Sequence, residues 1–192
     1  MDFANRYAPP LSVSRPELLD DSPNGLADDR FREAIYTLFM TANGFQSVRE
    51  AFGREIGASG PQYFILMAIA RGHARGGIGI RSIADHLGVA ASHVTVEVGK
   101  LIAKGLIAKR PNPQDRRRVL ITLTPAGMAA LDRLAPLRQR INDILFDGFS
   151  REEFGQLHGF LHRFARTTAR AQHEVALHEN FRKAAEEEGK HP

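Results

Sequence analysis

The chain of 192 residues contains no cysteine. That absence excludes a disulfide, a thiolate nucleophile, a thiol redox switch and a cysteine-ligated zinc site. Long apolar runs are missing as well. The longest, from Tyr63 to Ala70, falls far short of the roughly 18 residues that a bilayer-crossing helix needs, so no membrane partner is expected. The opening residues, MDFANRYAPP, lack the charged-then-apolar pattern of a secretory signal, and the expected location is the cytoplasm. There is no glycine-rich phosphate loop, no nucleophile motif and no paired carboxylates placed for a cleft, so nothing supports an enzyme. No cofactor is expected. Internal repeats are absent too.

What is present is ordinary for a globular protein: 43% apolar and 25% charged residues. The length suits one domain, or one domain with substantial extensions, and allows a real core. A net charge of +4 and a pI near 9.8 suggest an anionic partner, but only the distribution of charge can decide that.

Residues 1–27 carry Pro9, Pro10, Pro16 and Pro23 and read as an extended arm with one short turn opened by Ser14 and Pro16. From Asp28 the pattern changes. Phe31, Ile35, Leu38, Ala42, Phe45, Phe52 and Ile56 fall at steps of three, four or seven, which draws one apolar stripe along a long helix. Asp28 and Asp29 lie where acids favour a helix N-terminus. Pro61 fits the first turn of a second helix, QYFILMAIARG, apolar nearly all round and so buried. HARGGIG reads as a flexible connection. Two helical segments follow, RSIADHL ended by Gly88 and ASHVTVEVGKLIAK ended by Gly105 in the position of a left-handed cap.

LIAKR and RRVLITLT then read as two strands joined by PNPQD, whose prolines, Asn112 and Asp115 are turn formers. Thr124 as N-cap and Pro125 as first helical residue open a helix over about 125–147. Ser150 with Glu153 is a capping box for the last helix. That helix holds Phe154, Leu157, Leu161, Phe164, Thr168, Ala171 and Val175 in steps of three and four, a seam of the kind that packs along another helix. The terminal helices are therefore expected to form a homodimerisation layer. The resulting division is an arm (1–27), a helical dimerisation region (28–60 and 125–181), a DNA-binding domain (61–124) and a flexible tail (182–192).

This order of elements is the plan of a winged helix-turn-helix: mainly α with one small β-hairpin, plus a helical dimerisation layer. In that plan Arg81–Leu87 braces a recognition helix over about 90–104, and Gly88 sits where the backbone bends between them. A recognition helix meets bases with its N-terminal residues, here Ser92, His93, Thr95 and Val96, with Lys100 further along. Hydroxyls bond base edges or phosphates, Val96 offers apolar contact to a thymine methyl, and His93 suits either. Glu97 is the one acid of this face, and the expectation is that it points away from phosphate. Lys104, Lys109, Arg110, Arg116, Arg117 and Arg118 surround the hairpin, which gathers positive charge where a DNA-contacting wing would lie.

The chain from Gly60 to Gly127 resembles the MarR family of transcriptional regulators. The stretches that carry the likeness are GPQYFILMAIA, IRSIADHLGVAASHVTVEVGKLIAKGLI and KRPNPQDRRRVLITLTPAG; the DRR step followed by LTPAG is the most specific. With the flanking long helices the likeness covers about residues 28–180. It implies a homodimer on a pseudo-palindromic double-stranded DNA operator, and a wing at which Asp115 orients Arg117 into the minor groove. There narrow A·T tracts focus negative potential, and a carboxylate partner holds a guanidinium in place beforehand. One departure is Val96, where many members have an arginine.

The resemblance also implies a small anionic or aromatic effector, with a repressor released when it binds. Phe31, Tyr36, Phe39, Tyr63, Met67 and Arg71 are the candidate lining, Arg71 as a carboxylate anchor, although each is more often plain core. His158 and His162 lie one turn apart, as do Glu174 and His178, a step at which pairs can chelate. Two ligands do not make a site, and no metal is expected. The competing function is a winged-helix module for DNA packaging or protein contact without small-molecule response.

Overall fold

The computed structural model describes residues 10–20, 28–73, 76–115 and 118–188. Apolar periodicity becomes helix in α1 (Asp29–Glu55), α2 (Gly60–His73), α3 (Ile80–Leu87), α4 (Ala91–Ala103), α5 (Pro125–Leu145) and α6 (Arg151–Glu188), and the two short β-branched runs become strands β1 (Ile107–Pro111) and β2 (Val119–Leu123). The protein is mainly α with one antiparallel hairpin. It divides into two compact units, Met1–Met67 and Ala68–Pro192, so that the boundary falls inside α2. Among the described residues no helix is long and apolar enough to cross a membrane.

In the first unit the expected short turn is a single 3-10 turn at Pro16–Leu18, with proline at its first position. Asp28 stands at the N-cap of α1 yet makes no capping bond. Its fully buried carboxylate accepts instead from the Ser12 N–H at 2.6 Å and from Arg32 Nε at 2.9 Å. Arg32 also donates to the Pro10 carbonyl at 2.6 Å. The Arg32 hydrogen bond, and after it the Ser12 N–H, hold the Asp28 carboxyl below the usual aspartate range, against the opposing pull of burial. Residues 10–12 of the arm are thereby tied to the first turn of α1.

At the far end of α1, Phe52 is buried and meets Tyr63 of α2 edge-on at 5.5 Å. The start of α2 has more than Pro61 to define it. The Ser59 N–H donates to Gln62 Oε1 at 3.2 Å and the Gln62 N–H to Ser59 Oγ at 3.3 Å, a reciprocal capping box.

The second unit is built on Ile83 and Ala84 of α3, Val94, Val98 and Leu101 of α4, Ile107, Ile121 and Leu123 of the hairpin, and Ala130, Leu131 and Leu134 of α5, all buried. Each fully buried aliphatic side chain contributes about 1.5–3 kcal/mol relative to an exposed one. Gly88, at φ +65°, makes the left-handed bend between α3 and α4 that a side chain would strain. The hairpin pairs Ile107 with Leu123 through to Pro111 with Val119. Within HARGGIG, expected as a flexible connection, Ile78 forms an isolated bridge with Ile121 through bonds of 3.1 and 2.8 Å.

Thr124 caps α5 as expected. Its Oγ accepts from the Gly127 N–H at 3.0 Å and donates to the Gly105 carbonyl at 2.6 Å. A Cβ built on Gly127 would run into the Leu106 carbonyl oxygen, so the LTPAG stretch needs glycine for backbone to lie against backbone. The Ser150–Glu153 box forms at the start of α6, with bonds of 2.8 and 3.2 Å. From there α6 runs to Glu188, past the tail expected from residue 182. Its last residues are rich in alanine and glutamate, good helix formers, and Arg182 reaches Glu186 at 3.8 Å one turn on.

Candidate nucleic-acid interface

The recognition helix α4 has two faces. Val94, Glu97, Val98 and Leu101 are buried, while Ser92, His93, Thr95, Val96 and Lys100 are exposed. The spacing explains this: 94, 97, 98 and 101 recur at three and four and form the inner stripe. Thr95 Oγ1 donates to the Ala91 carbonyl at 2.8 Å. Glu97 lies on the inner stripe with its side chain 9% exposed, and Lys100 Nζ donates to its carboxylate at 2.7 Å.

Lys104 and, on β1, Lys109 and Arg110 are exposed. Beyond the last strand pair the wing is closed by the Asn112 N–H donating to the Arg118 carbonyl at 2.9 Å. Within the tip, the Gln114 N–H donates to Asn112 Oδ1 at 2.9 Å, the side-chain-to-backbone turn that asparagine favours. Arg118 Nε lies 3.2 Å from Asp115 Oδ2. Arg116 and Arg117 lie outside the described residues, and with them the Asp115–Arg117 pair that the resemblance implies.

Arg81 and Ser82 complete the charged surface, and the sequence patterns above had left them as bracing residues. They line a cleft of about 510 Å³ with Asp85 of α3 and with Asn112, Arg118 and Leu120 of the hairpin. The N-cap of α3 is Gly79, with no side-chain cap. Two arginines and one aspartate thus line the cleft where α3 begins, and the balance of charge there is positive.

The effector candidates are dispersed in character. In the first unit Phe31 lines a cavity of about 230 Å³ with Leu18, Leu19, Asp20 and Arg30. Tyr36 and Phe39 are exposed, Met67 is half-buried, and Tyr63 packs as core against Phe52. In the second unit Arg71, offered as a carboxylate anchor, lies 3.1 Å from His86 Nε2. On α6 the Nε2 atoms of His158 and His162 approach to 3.1 Å. Among the described residues no cluster of three or more His, Asp or Glu is arranged to hold a metal ion.

Residues 59–119 match the MarR family model. The chain is 29% identical over 125 residues to an HTH-type transcriptional regulator of Bacillus subtilis, YkoM, a match that covers 64% of this chain and 79% of that one. Among solved structures it is similar to MepR of S. aureus, determined as a DNA complex, with a TM-score of 0.61 at 20% identity over 69% of this chain and 94% of that one. It is also similar to PcaV of Streptomyces coelicolor, determined in complex with its natural ligand, with a TM-score of 0.53 at 25% identity over 67% and 91% of the two chains.

Proposed function

We propose that this chain is a DNA-binding transcriptional regulator of the MarR type, on the match of residues 59–119 to that family's model, and that it acts as a homodimeric cytoplasmic repressor of a pseudo-palindromic operator, released by a small aromatic-acid effector. The observation that carries the DNA part is a coincidence of two surfaces in one unit. The outer face of α4, on which Lys100 is the one lysine or arginine, belongs to the same unit as a basic hairpin and the Arg81–Arg118 cleft. The helix supplies base contacts in the major groove, while hairpin and cleft take the phosphates on either side. Asp115 and Arg118 lie at the wing tip, and Arg117, between them in the sequence, is the side chain assigned to the minor groove.

The dimer rests on apolar surface that each unit exposes in the single chain. Tyr36, Leu38, Phe39 and Phe45 are exposed on α1, and Phe154, Leu161, Phe164, Val175 and Phe181 on α6. Apolar side chains exposed in such number along two helices support an interface over a solvent face. The effector reading rests on the family and on the Phe31 cavity. PcaV, solved with its natural ligand, gives the precedent for a small molecule on this fold.

Selection of bound duplexes from a random pool tests the reading. It should return a two-fold symmetric sequence with half-sites about one helical turn apart. An unsymmetric or featureless pool would contradict it, and calorimetry against a panel of aromatic acids without heat or release of DNA would remove the effector.

A further inference from the structure

We propose that this protein reads its half-site through thymine methyl groups and not through guanine, with Val96 as the residue that sets the preference. The inference rests on the regulator reading above and deepens it.

On α4, Ser92, His93, Val96 and Lys100 follow one another at steps of one, three and four and share one exposed face. Val96 is 56% exposed there, whereas Val94 and Val98, two positions to either side, are 0% and 1% exposed. The core of this unit therefore has room for valine where the stripe demands it, and Val96 is not part of that stripe. An isopropyl group has nothing to offer a phosphate. In the major groove its chemical match is the C5-methyl of thymine.

The neighbours offer little of what guanine or adenine is most often read by. Guanine is read most often by arginine or lysine donating to O6 and N7. α4 contains no arginine. Its one lysine, Lys100, has its ammonium 2.7 Å from the inward Glu97 carboxylate. To reach a guanine it would have to leave the charge-assisted bond it makes there. Adenine is read by asparagine or glutamine, and α4 has neither. Thr95 has committed its hydroxyl hydrogen to the Ala91 carbonyl, so it offers a base edge no donor, only an acceptor oxygen and a methyl group. Ser92 and His93 remain as donors, and thymine O4 is an acceptor beside the methyl. The face as a whole is complementary to thymine. Affinity comes from the hairpin and the cleft, where the cations are.

The test uses the full chain and the duplex returned by selection. Each thymine of the half-site is replaced in turn by deoxyuridine, which deletes the C5-methyl and leaves every hydrogen-bonding atom in place. At one symmetric position, about a three- to fivefold loss per half-site is expected, the worth of one buried methyl. Val96→Ala, on an exposed position, should fold normally and show a smaller preference for thymine over uracil at that position, because the shorter side chain draws back from the methyl. If the selected sequence is specific but uracil at every position leaves affinity unchanged, methyl reading is wrong while the regulator stands. If Val96→Ala keeps the full thymine preference, Val96 is not the reader. If no sequence is selected over scrambled DNA, the regulator reading itself fails and this inference with it.

Discussion

Arg118 holds Asp115 at two levels: its Nε lies 3.2 Å from the Asp115 carboxylate, and its backbone N–H donates to the Asp115 carbonyl at 2.9 Å. Both side chains are substantially exposed, so as an ion pair this adds little to stability, on the order of 0–1 kcal/mol. Its value is positional. A long basic side chain on a loop surrenders about 2 kcal/mol of rotamer entropy when fixed, and a carboxylate that already fixes one arginine of the cluster reduces what DNA binding must supply.

Asp115→Ala therefore should weaken binding to a specific duplex about three- to tenfold, even though it makes the wing more basic. Arg117→Ala should weaken it more, with an unchanged unfolding midpoint. Fluorescence anisotropy on both variants decides between the two roles of the acid. Tighter binding by Asp115→Ala would show that it acts only as a repelling charge.

Gly127→Ala should destabilise the second unit by about 1–3 kcal/mol, the usual cost of overpacking a filled site. The group in the way is the Leu106 backbone carbonyl, which cannot swing aside as a side chain can. Thr124→Ala should cost about 0.5–2 kcal/mol through the lost cap. Urea unfolding monitored by circular dichroism measures both. A neutral Gly127→Ala would mean that the start of α5 is not packed against Leu106.

Leu161→Glu and Phe164→Asp place charge on the exposed apolar seam of α6. In a dimer built on that seam they should yield a monomer in analytical ultracentrifugation and at least a hundredfold loss of affinity for a symmetric operator. A dimer that survives both substitutions places the interface elsewhere.

Two carboxylates link stability to acid pH. Asp28 is held below its ordinary value by Arg32 and Ser12, and Glu153 by the Ser150 side chain and N–H. A depressed folded-state pKa means stability that is complete above the unfolded value and is lost as pH falls through the folded one. The arm clasp and the α6 box should therefore persist at neutral pH and weaken only below the usual carboxylate range. In NMR titrations Ser150→Ala should raise the Glu153 pKa, and Asp28→Asn should speed exchange of the Ser12 amide. An unmoved Glu153 pKa would mean that the box is not formed in solution.

Elements set by local chemistry were legible in the chain itself. The bend at Gly88, the Thr124–Pro125 start of α5 and the Ser150–Glu153 box each depend on residues within one turn, and each is found. Ser59 and Gln62 carry a signal of the same kind, which Pro61 between them masks. What was not legible depends on partners distant in the chain. The Ile78 bridge needs Ile121. The Asp28 clasp needs the Ser12 amide and the Pro10 carbonyl, through Arg32. Arg71 meets His86 of the following helix, and no period in the sequence encodes that meeting. For the interface, Ser92, His93, Thr95, Val96 and Lys100 were expected on the outer face of α4 and are exposed there, whereas Glu97, expected on that face but turned from phosphate, lies on the buried stripe. The cleft of Arg81, Ser82 and Arg118 was not legible, because only the fold brings the start of α3 to the hairpin.

The most direct test of the central claim is a titration of the full chain on a symmetric operator duplex and on a scrambled duplex of equal length, each at two salt concentrations. A sequence-specific regulator binds the operator at least a thousandfold more tightly, with both affinities falling as salt rises. Equal, steeply salt-dependent binding to the two duplexes would contradict the account and make the chain a DNA-packaging module.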